Sequence, residues 1–156
     1  MMRATIVYHR SPEVVVKEFH ASLKPTLGEA GTRWHAKTLP GHFTTAAERL
    51  YNYQPRKKSY AIAKAKRYHH RNPLVKTGRS RDMMLRAARI TTTAKGARVR
   101  MQAPPYWYKY RKDLGQADKA AEATATTTGE VQSIAQFVHD RMTSRMNAAR
   151  GGGTVQ

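Results

Sequence analysis

The sequence predicts an α+β fold in which a small antiparallel β-sheet packs against an N-terminal and a C-terminal helix. Two segments flank a glycine-containing turn and predict a β-hairpin over residues 86–102. Apolar residues at helical spacing predict a helix near each end of the chain. Between the first helix and the hairpin, the basic residues 51–82 predict a long loop or arm. The 156 residues suffice for one domain with a modest core, so we expect a single domain over residues 1–150 and a flexible tail over residues 151–156.

The N-terminal helix is predicted from the residues that start it. Ser11 can cap a helix, Pro12 suits the first helical position, and an acidic residue follows in the first turn. The β-branched run Val14–Val16, by contrast, disfavours a helix. We expect the helix to end near Lys24, because Pro25 follows. Its apolar face consists of Val15, Val16, Phe19 and Leu23.

The segments on either side of this helix carry weaker patterns. Ala4–Tyr8 predicts a short strand or an ordered arm. Residues 25–43 are interrupted by prolines and glycines and predict a connector with a short helical turn around Trp34. Thr44–Leu50 is compatible with either a short helix or coil.

The hairpin has the clearest β pattern in the chain. Residues 86–93 and 97–102 flank Ala94-Lys95-Gly96, a loop with glycine where a left-handed backbone is often needed. Alternation along the second strand separates apolar from charged side chains. We therefore expect one apolar face with Ala97, Val99 and Met101 and one cationic face with Arg98, Arg100 and Gln102. Val99 and Met101 should point inward, and Arg98 and Arg100 outward.

Further elements are predicted after the hairpin. The aromatic and basic run Tyr106–Lys112 predicts a strand, whose rings are either half-buried, the favoured interpretation, or stacked on bases. Residues 113–121 predict a loop, and Ala123–Thr127 predicts a last strand. Thr128–Asn147 is the strongest helix prediction, with Thr128 as its cap. Its apolar stripe, which we expect to contact the core or another subunit, consists of Val131, Ile134, Ala135, Phe137, Val138, Met142 and Met146.

Positive charge dominates the composition and points to anionic partners. Lys and Arg number 29 against 10 Asp and Glu, a formal net charge of +19. Such a charge favours nucleic acid first and an acidic protein surface second. Within the basic segment, Ser59–Tyr68 predicts a short helix or an extended arm, and Ser80–Leu85 predicts a short helix after a turn at Thr77-Gly78. The residues expected to contact nucleic acid or a partner are Arg56, Lys57, Lys58, Lys64, Lys66, Arg67, Arg71, Lys76, Arg79 and Arg81, with Arg98 and Arg100 of the hairpin.

No pattern of catalytic residues or phosphate-binding glycines occurs, so we expect neither an enzyme nor a cofactor. The chain has no cysteine, which excludes disulfides and a thiol nucleophile. His69-His70 is a poor metal site because adjacent histidines rarely face one ion, and His35 and His42 lack further ligands at useful spacing. No apolar run suggests a signal peptide or a membrane span, so no membrane partner is expected. No sequence-reading module is present either, so any contact with nucleic acid should be to phosphates.

The segment Pro73-Leu74-Val75-Lys76-Thr77-Gly78-Arg79-Ser80-Arg81-Asp82 resembles the phrase P-L-x-x-T-G-x-L-R-x-S of phage tail-completion and head–tail joining (neck) proteins. In that family the phrase precedes a β-hairpin, an aromatic strand and a C-terminal helix. The predicted elements follow in the same order here, so the resemblance covers residues 43–147.

The resemblance implies a structural protein of the virion, made in the host cytoplasm and assembled as a homo-oligomeric ring at the head–tail junction. Its expected partners are the neighbouring portal, neck and tail proteins. The cationic residues would then face genomic DNA, without sequence preference, or acidic neighbouring subunits. The alternative is a stand-alone basic module that binds nucleic acid.

Overall fold

The computed structural model describes residues 11–93, 95–107 and 116–151, and these residues form the expected α+β fold. The helices are α1 (Pro12–Arg33), α2 (Ala47–Leu50), α3 (Lys58–Tyr68), α4 (Arg79–Arg86), α5 (Lys119–Ala123) and α6 (Thr128–Gly151). The strands are β1 (Ala88–Thr93) and β2 (Gly96–Met101), which pair as an antiparallel hairpin. The predicted arm at residues 4–8, residues 108–112 of the predicted aromatic strand and the tail at residues 152–156 lie outside the described residues.

Helix α1 begins as the sequence predicts but does not end at Lys24. Pro12 occupies its first turn and Glu13 follows there. The helix then continues through Pro25 to Arg33, so the predicted end was wrong. A proline inside a helix removes one backbone hydrogen bond and typically costs about 3 kcal/mol. Packing of α1 against the hairpin and against α6 offsets that cost.

The glycines of the predicted connector belong to this helix. Gly28 and Gly31 lie where α1 crosses the hairpin, and a Cβ on Gly31 would approach the methyl groups of Ile90 and Val99 to 3.2 Å each. Glycine therefore permits the close approach of helix and sheet.

Beyond α1 the chain tightens into two irregular helical turns. A π-helical turn, Trp34–Thr38, is followed by a 3₁₀ turn, Leu39–Phe43. The expected turn around Trp34 is thus present, as part of a longer helical run. The short helix α2 follows, which confirms the helical alternative for this region.

The hairpin prediction is confirmed in its antiparallel strand pairing and its two faces. Ile90 lies opposite Val99, and Thr93 lies opposite Gly96. Val99 and Met101 are half-buried, whereas Arg98 and Arg100 are exposed. Ala97 lies on the same face as Val99, as the alternation predicts. It is exposed because it sits near the turn, at the end of the face that α1 covers. Gly96 extends the strand and does not adopt the left-handed backbone expected of the loop.

The basic segment 51–82 contains two helices, so it is not one long loop. Helix α3 confirms the helical alternative for residues 59–68, and α4 confirms the short helix after the Thr77-Gly78 turn. Gly78, with φ of 86°, is the residue immediately before α4, in a conformation that favours glycine.

Two predicted strands after the hairpin were wrong in the described residues. Pro105–Trp107 forms a 3₁₀ turn, because consecutive prolines cannot donate to a strand ladder. The expected strand at 123–127 is replaced by the end of α5 and a short irregular segment. Asp118 caps α5 by accepting hydrogen bonds from the backbone N–H groups of Ala120 and Ala121.

Helix α6 confirms the strongest helix prediction, although its cap is one residue earlier. The hydroxyl of Thr127 accepts from the Glu130 N–H at 3.2 Å, while a Glu130 carboxylate oxygen accepts from the Thr127 N–H at 2.9 Å. This reciprocal pair is a capping box.

Helix α6 packs along α1. The Arg33 guanidinium of α1 lies 5.0 Å from the ring centre of Phe137. Glu29 of α1 forms ion pairs with Arg141 and Arg145 of α6. The two helices therefore associate through both apolar and charged contacts.

The main core lies beside this helix pair and not between the helices and the hairpin. It joins the irregular turns after α1, the segment before α4, the 3₁₀ turn at 105–107 and α5. Its buried residues are Leu39, Phe43, Ala47, Tyr53, Leu74, Val75, Met84, Trp107 and Ala123.

Candidate nucleic-acid interface

The solvent face of the hairpin carries three arginines. Arg89 of β1 lies directly opposite Arg100 of β2, and Arg98 lies opposite Thr91. All three arginines are exposed, and neither strand contains an acidic residue. Among the described residues no ion pair involves any of them. The geometry brings together the predicted Arg98 and Arg100 and adds Arg89, which its alternation with Ala88 and Ile90 along β1 could have revealed.

Most cations of the basic segment are also exposed. Several have contacts that orient them without neutralising them: the Arg67 guanidinium lies 5.6 Å from the ring centre of Tyr68, and the Lys76 ammonium lies 6.0 Å from it. Arg81 pairs with Asp82, but this pair is exposed and hence weak. The exposed predicted residues of the segment are Lys57, Lys58, Lys66, Arg67, Arg71, Lys76, Arg79 and Arg81.

Arg56, a predicted contact residue, is directed inward. Its guanidinium pairs in a bidentate manner with the buried Glu122 of α5, one nitrogen lying 3.0 Å from Oε1. The same carboxylate accepts the backbone N–H of Gln54 at 3.1 Å. Arg56 therefore connects the start of the basic segment to α5.

Lys64 is also directed inward, and its side chain is buried within the basic segment. Its ammonium donates to the backbone carbonyl of Asn72. Burial lowers the pKa of Lys64, and the nearby positive charge of Arg56 lowers it further. Helical periodicity did not distinguish Lys64 from Lys66, because the groups around Lys64, the Asn72 carbonyl and the cavity residues Trp107 and Lys119, lie outside α3.

The segment that resembles the neck-protein phrase is anchored in the core. Pro73, Leu74 and Val75 are buried, and Leu74 has a φ of 57°. Ser80 is buried as well, and its hydroxyl lies 2.5 Å from the Tyr106 hydroxyl. These residues hold the chain in position just before it enters the hairpin.

A buried polar cluster, which the sequence did not predict, connects this core to α6. His42 is fully buried and stacks on Tyr51 with ring centres 3.8 Å apart, while its Nδ1 lies 2.6 Å from the Tyr53 hydroxyl. Tyr51 donates to the Glu130 carboxylate at 2.5 Å. Burial lowers the pKa of His42 and raises the pKa of both tyrosines, so all three rings are neutral at neutral pH. The three uncharged rings therefore form a hydrogen-bonded and stacked group that ends at the Glu130 carboxylate.

The histidines weighed as metal ligands have other contacts. A ring nitrogen of His35 lies 2.9 Å from the Met84 carbonyl oxygen, and one of His70 lies 3.1 Å from that of Lys76. The residues that the structure describes contain no group of three or more potential ligands able to hold a metal ion. Within the same residues, none of the helices has the length and apolar character needed to cross a membrane.

Comparisons with family models, with curated proteins and with solved structures find no match to this chain.

Proposed function

We propose that this chain is a ring-forming structural protein of a tailed-phage neck, a tail-completion or head–tail connector protein that joins the portal-proximal neck to the tail. In this proposal it is not an enzyme, and its cationic surface faces DNA or acidic neighbouring subunits. The observation that carries the proposal is the arginine face of the hairpin, formed by Arg89, Arg98 and Arg100.

The arginine face has an arrangement that favours an external anion. Like charges directly opposite each other in a sheet destabilise it. Arg89 and Arg100 are such a pair, and no described acidic group forms an ion pair with either of them. Phosphates of a nucleic acid would remove this repulsion, with no dependence on base sequence because the face presents cations to the backbone.

The order of elements gives further support. The segment that resembles the neck-protein phrase is followed by a hairpin and a C-terminal helix, as the resemblance implies. The aromatic strand of that pattern is not formed at Pro105–Trp107.

Ring assembly requires two different surfaces on each subunit that fit each other. The start of α1 exposes the apolar side chains of Val14, Val16 and Phe19, and α6 exposes Val131. Exposed apolar side chains of this kind suit contacts with neighbouring subunits.

The arginine face can be tested by changing Arg89, Arg98 and Arg100 together to glutamine. Each phosphate that the protein no longer neutralises should reduce the salt slope of duplex binding by about 0.9, so the slope of the triple variant should be smaller by roughly 2–3. The matched control changes three exposed lysines outside the hairpin, Lys17, Lys24 and Lys37, to glutamine. Equal slopes in the two variants would contradict the assignment of the arginine face.

The neck role is tested in the phage that encodes the chain. Interrupting the gene should leave DNA-filled heads and separate tails in electron micrographs. Intact joined particles would exclude the neck role even if the purified protein binds DNA.

A stand-alone nucleic-acid-binding module is the second candidate, since the arginine face lies on a single chain and needs no assembly. It predicts tight binding by monomer at physiological salt with a preferred sequence or structure. The neck role predicts weak binding by monomer, with steep salt dependence and no preference.

A further inference from the structure

A cavity of about 280 Å³ lies against α3. Its other walls are the segment 71–76, the 3₁₀ turn at 105–107 and the start of α5. Its lining is unbalanced in charge. Among the described residues, Lys64, Arg71, Lys76 and Lys119 contribute positive charge, and Glu48 is the one carboxylate. Arg56 also lines the cavity, but its charge is already paired with Glu122.

Lys64 provides a buried donor group in this cavity. Its ammonium has three N–H donors, and the Asn72 carbonyl accepts one of them. No described carboxylate forms an ion pair with Lys64 or Lys119. An anion in the cavity would therefore satisfy donors that the protein itself leaves without a charged partner.

Aromatic rings complete the lining. Tyr60 and Tyr106 are about half exposed, 49% and 53%, whereas Trp107 is buried beneath them. A hydrogen bond between the Ser80 and Tyr106 hydroxyls fixes the tyrosine, and the Lys119 ammonium lies 5.5 Å from the Tyr106 ring centre. Planar rings beside a cluster of cations match the two parts of a nucleotide, since a base can stack and a phosphate can pair.

We propose that this cavity binds a single nucleotide, with its phosphate held by Lys64 and Lys119 and its base stacked on Tyr106 or Tyr60. The volume lies near the lower end of the range for small-molecule sites, which suits one nucleotide and excludes a duplex. The site needs neither a ring nor the arginine face, so it goes beyond the proposed neck role. The nucleotide can be free or part of a single strand, because both present the same base and phosphate.

The first test uses the unmodified protein and deoxyadenosine 5′-monophosphate, observed by NMR. The chain has two tryptophans, Trp107 at the cavity and Trp34 away from it. The indole N–H signal of Trp107 should shift in a saturable manner while that of Trp34 stays unchanged. Deoxyadenosine and inorganic phosphate should each bind at least tenfold more weakly. Absence of a saturable shift, or equal affinity for phosphate alone, would overturn the proposal.

The second test uses variants of the cavity. Lys119→Gln and Tyr106→Leu should each weaken nucleotide binding about tenfold, and Tyr106→Phe should retain it because the ring remains. Lys66→Gln serves as the control. It removes an exposed cation of α3 that does not line the cavity, so its nucleotide affinity should be unchanged. Equal losses in Lys66→Gln and Lys119→Gln would refute the site, and circular dichroism establishes that each variant is folded.

A third measurement identifies the source of the nucleotide. If a short single strand of deoxyadenosines displaces the mononucleotide, the cavity takes a nucleotide within a strand. If it does not, the cavity takes a free nucleotide. The triple arginine variant of the hairpin should bind the mononucleotide normally, which separates this site from the proposed duplex contact.

Discussion

Replacing Gly31 with leucine should force α1 away from the hairpin. A Cβ at this position would lie 3.2 Å from methyl groups of both Ile90 and Val99, tighter than ordinary van der Waals contact. The Cβ itself is the atom in conflict, so the strain arises even if the outer carbons of leucine enter the neighbouring cavity lined by Gly31, Ala97 and Val99. The helix must therefore shift, or the two β-branched side chains must leave their preferred conformations.

The size of the effect follows from two opposed contributions. Overpacking a close contact typically costs about 1–3 kcal/mol. Leucine is a better helix former than glycine by about 0.8–1 kcal/mol, which offsets part of that cost. We expect Gly31→Leu to lower the free energy of unfolding by about 1–2 kcal/mol. For a chain of this length, the melting temperature should fall by roughly 2–4 °C per kcal/mol.

Urea unfolding followed by circular dichroism measures this difference directly. Gly28→Ala is the matched control, because a Cβ there meets only Thr92, at an ordinary distance of 3.5 Å. That variant should gain up to about 1 kcal/mol from helix propensity alone. If Gly31→Leu were as stable as the unmodified protein, the close crossing of helix and hairpin would be refuted.

Three further predictions test the hairpin, the inward ion pair and the buried histidine. Val99→Lys should lower the free energy of unfolding by about 2 kcal/mol, since a charge enters a half-buried site, and an unchanged melting temperature would contradict the inward assignment. Glu122→Gln should lower the free energy of unfolding by about 2 kcal/mol, because it leaves Arg56 without its charged partner. The loss should be smaller when Arg56→Met is already present. Additive losses in this double-mutant cycle would exclude coupling between the two residues. Burial lowers the pKa of His42 below 6.5, so the unfolded state binds more protons as the pH drops below about 6.5. The free energy of unfolding should therefore fall as the pH is lowered below about 6.5, and should level off below the folded-state pKa. Urea titration should show a smaller fall in His42→Phe. Equal pH dependence in both proteins would rule out the histidine as its source.

Local patterns predicted the elements whose environment is simple. The hairpin alternates because one face packs on α1 and the other meets water, so every second residue reports the same surroundings. Helix α6 lies where its apolar spacing predicts, with Met142 buried and Phe137 half-buried, although its cap is Thr127 and not the predicted Thr128. The excess of cations is likewise a property of composition alone.

Local patterns also misjudged α1, and the reason is tertiary contact. Pro25, Gly28 and Gly31 individually disfavour a helix, and together they predicted a connector. In the folded chain the two glycines allow the hairpin to pack closely against the helix. The packing gained there depends on Ile90 and Val99, which lie far along the chain and which no local pattern contains.

The sequence by itself determined the hairpin with its charged face, the C-terminal helix and the positive charge of the basic segment. Only the tertiary structure decided which of those charges are available. Arg56 is neutralised by Glu122, 66 residues away, and Lys64 is buried against the Asn72 carbonyl, while Lys66 remains exposed on the same helix. The physical reason is that a long cationic side chain takes its direction from the partner that desolvates or neutralises it, and that partner is supplied by the fold.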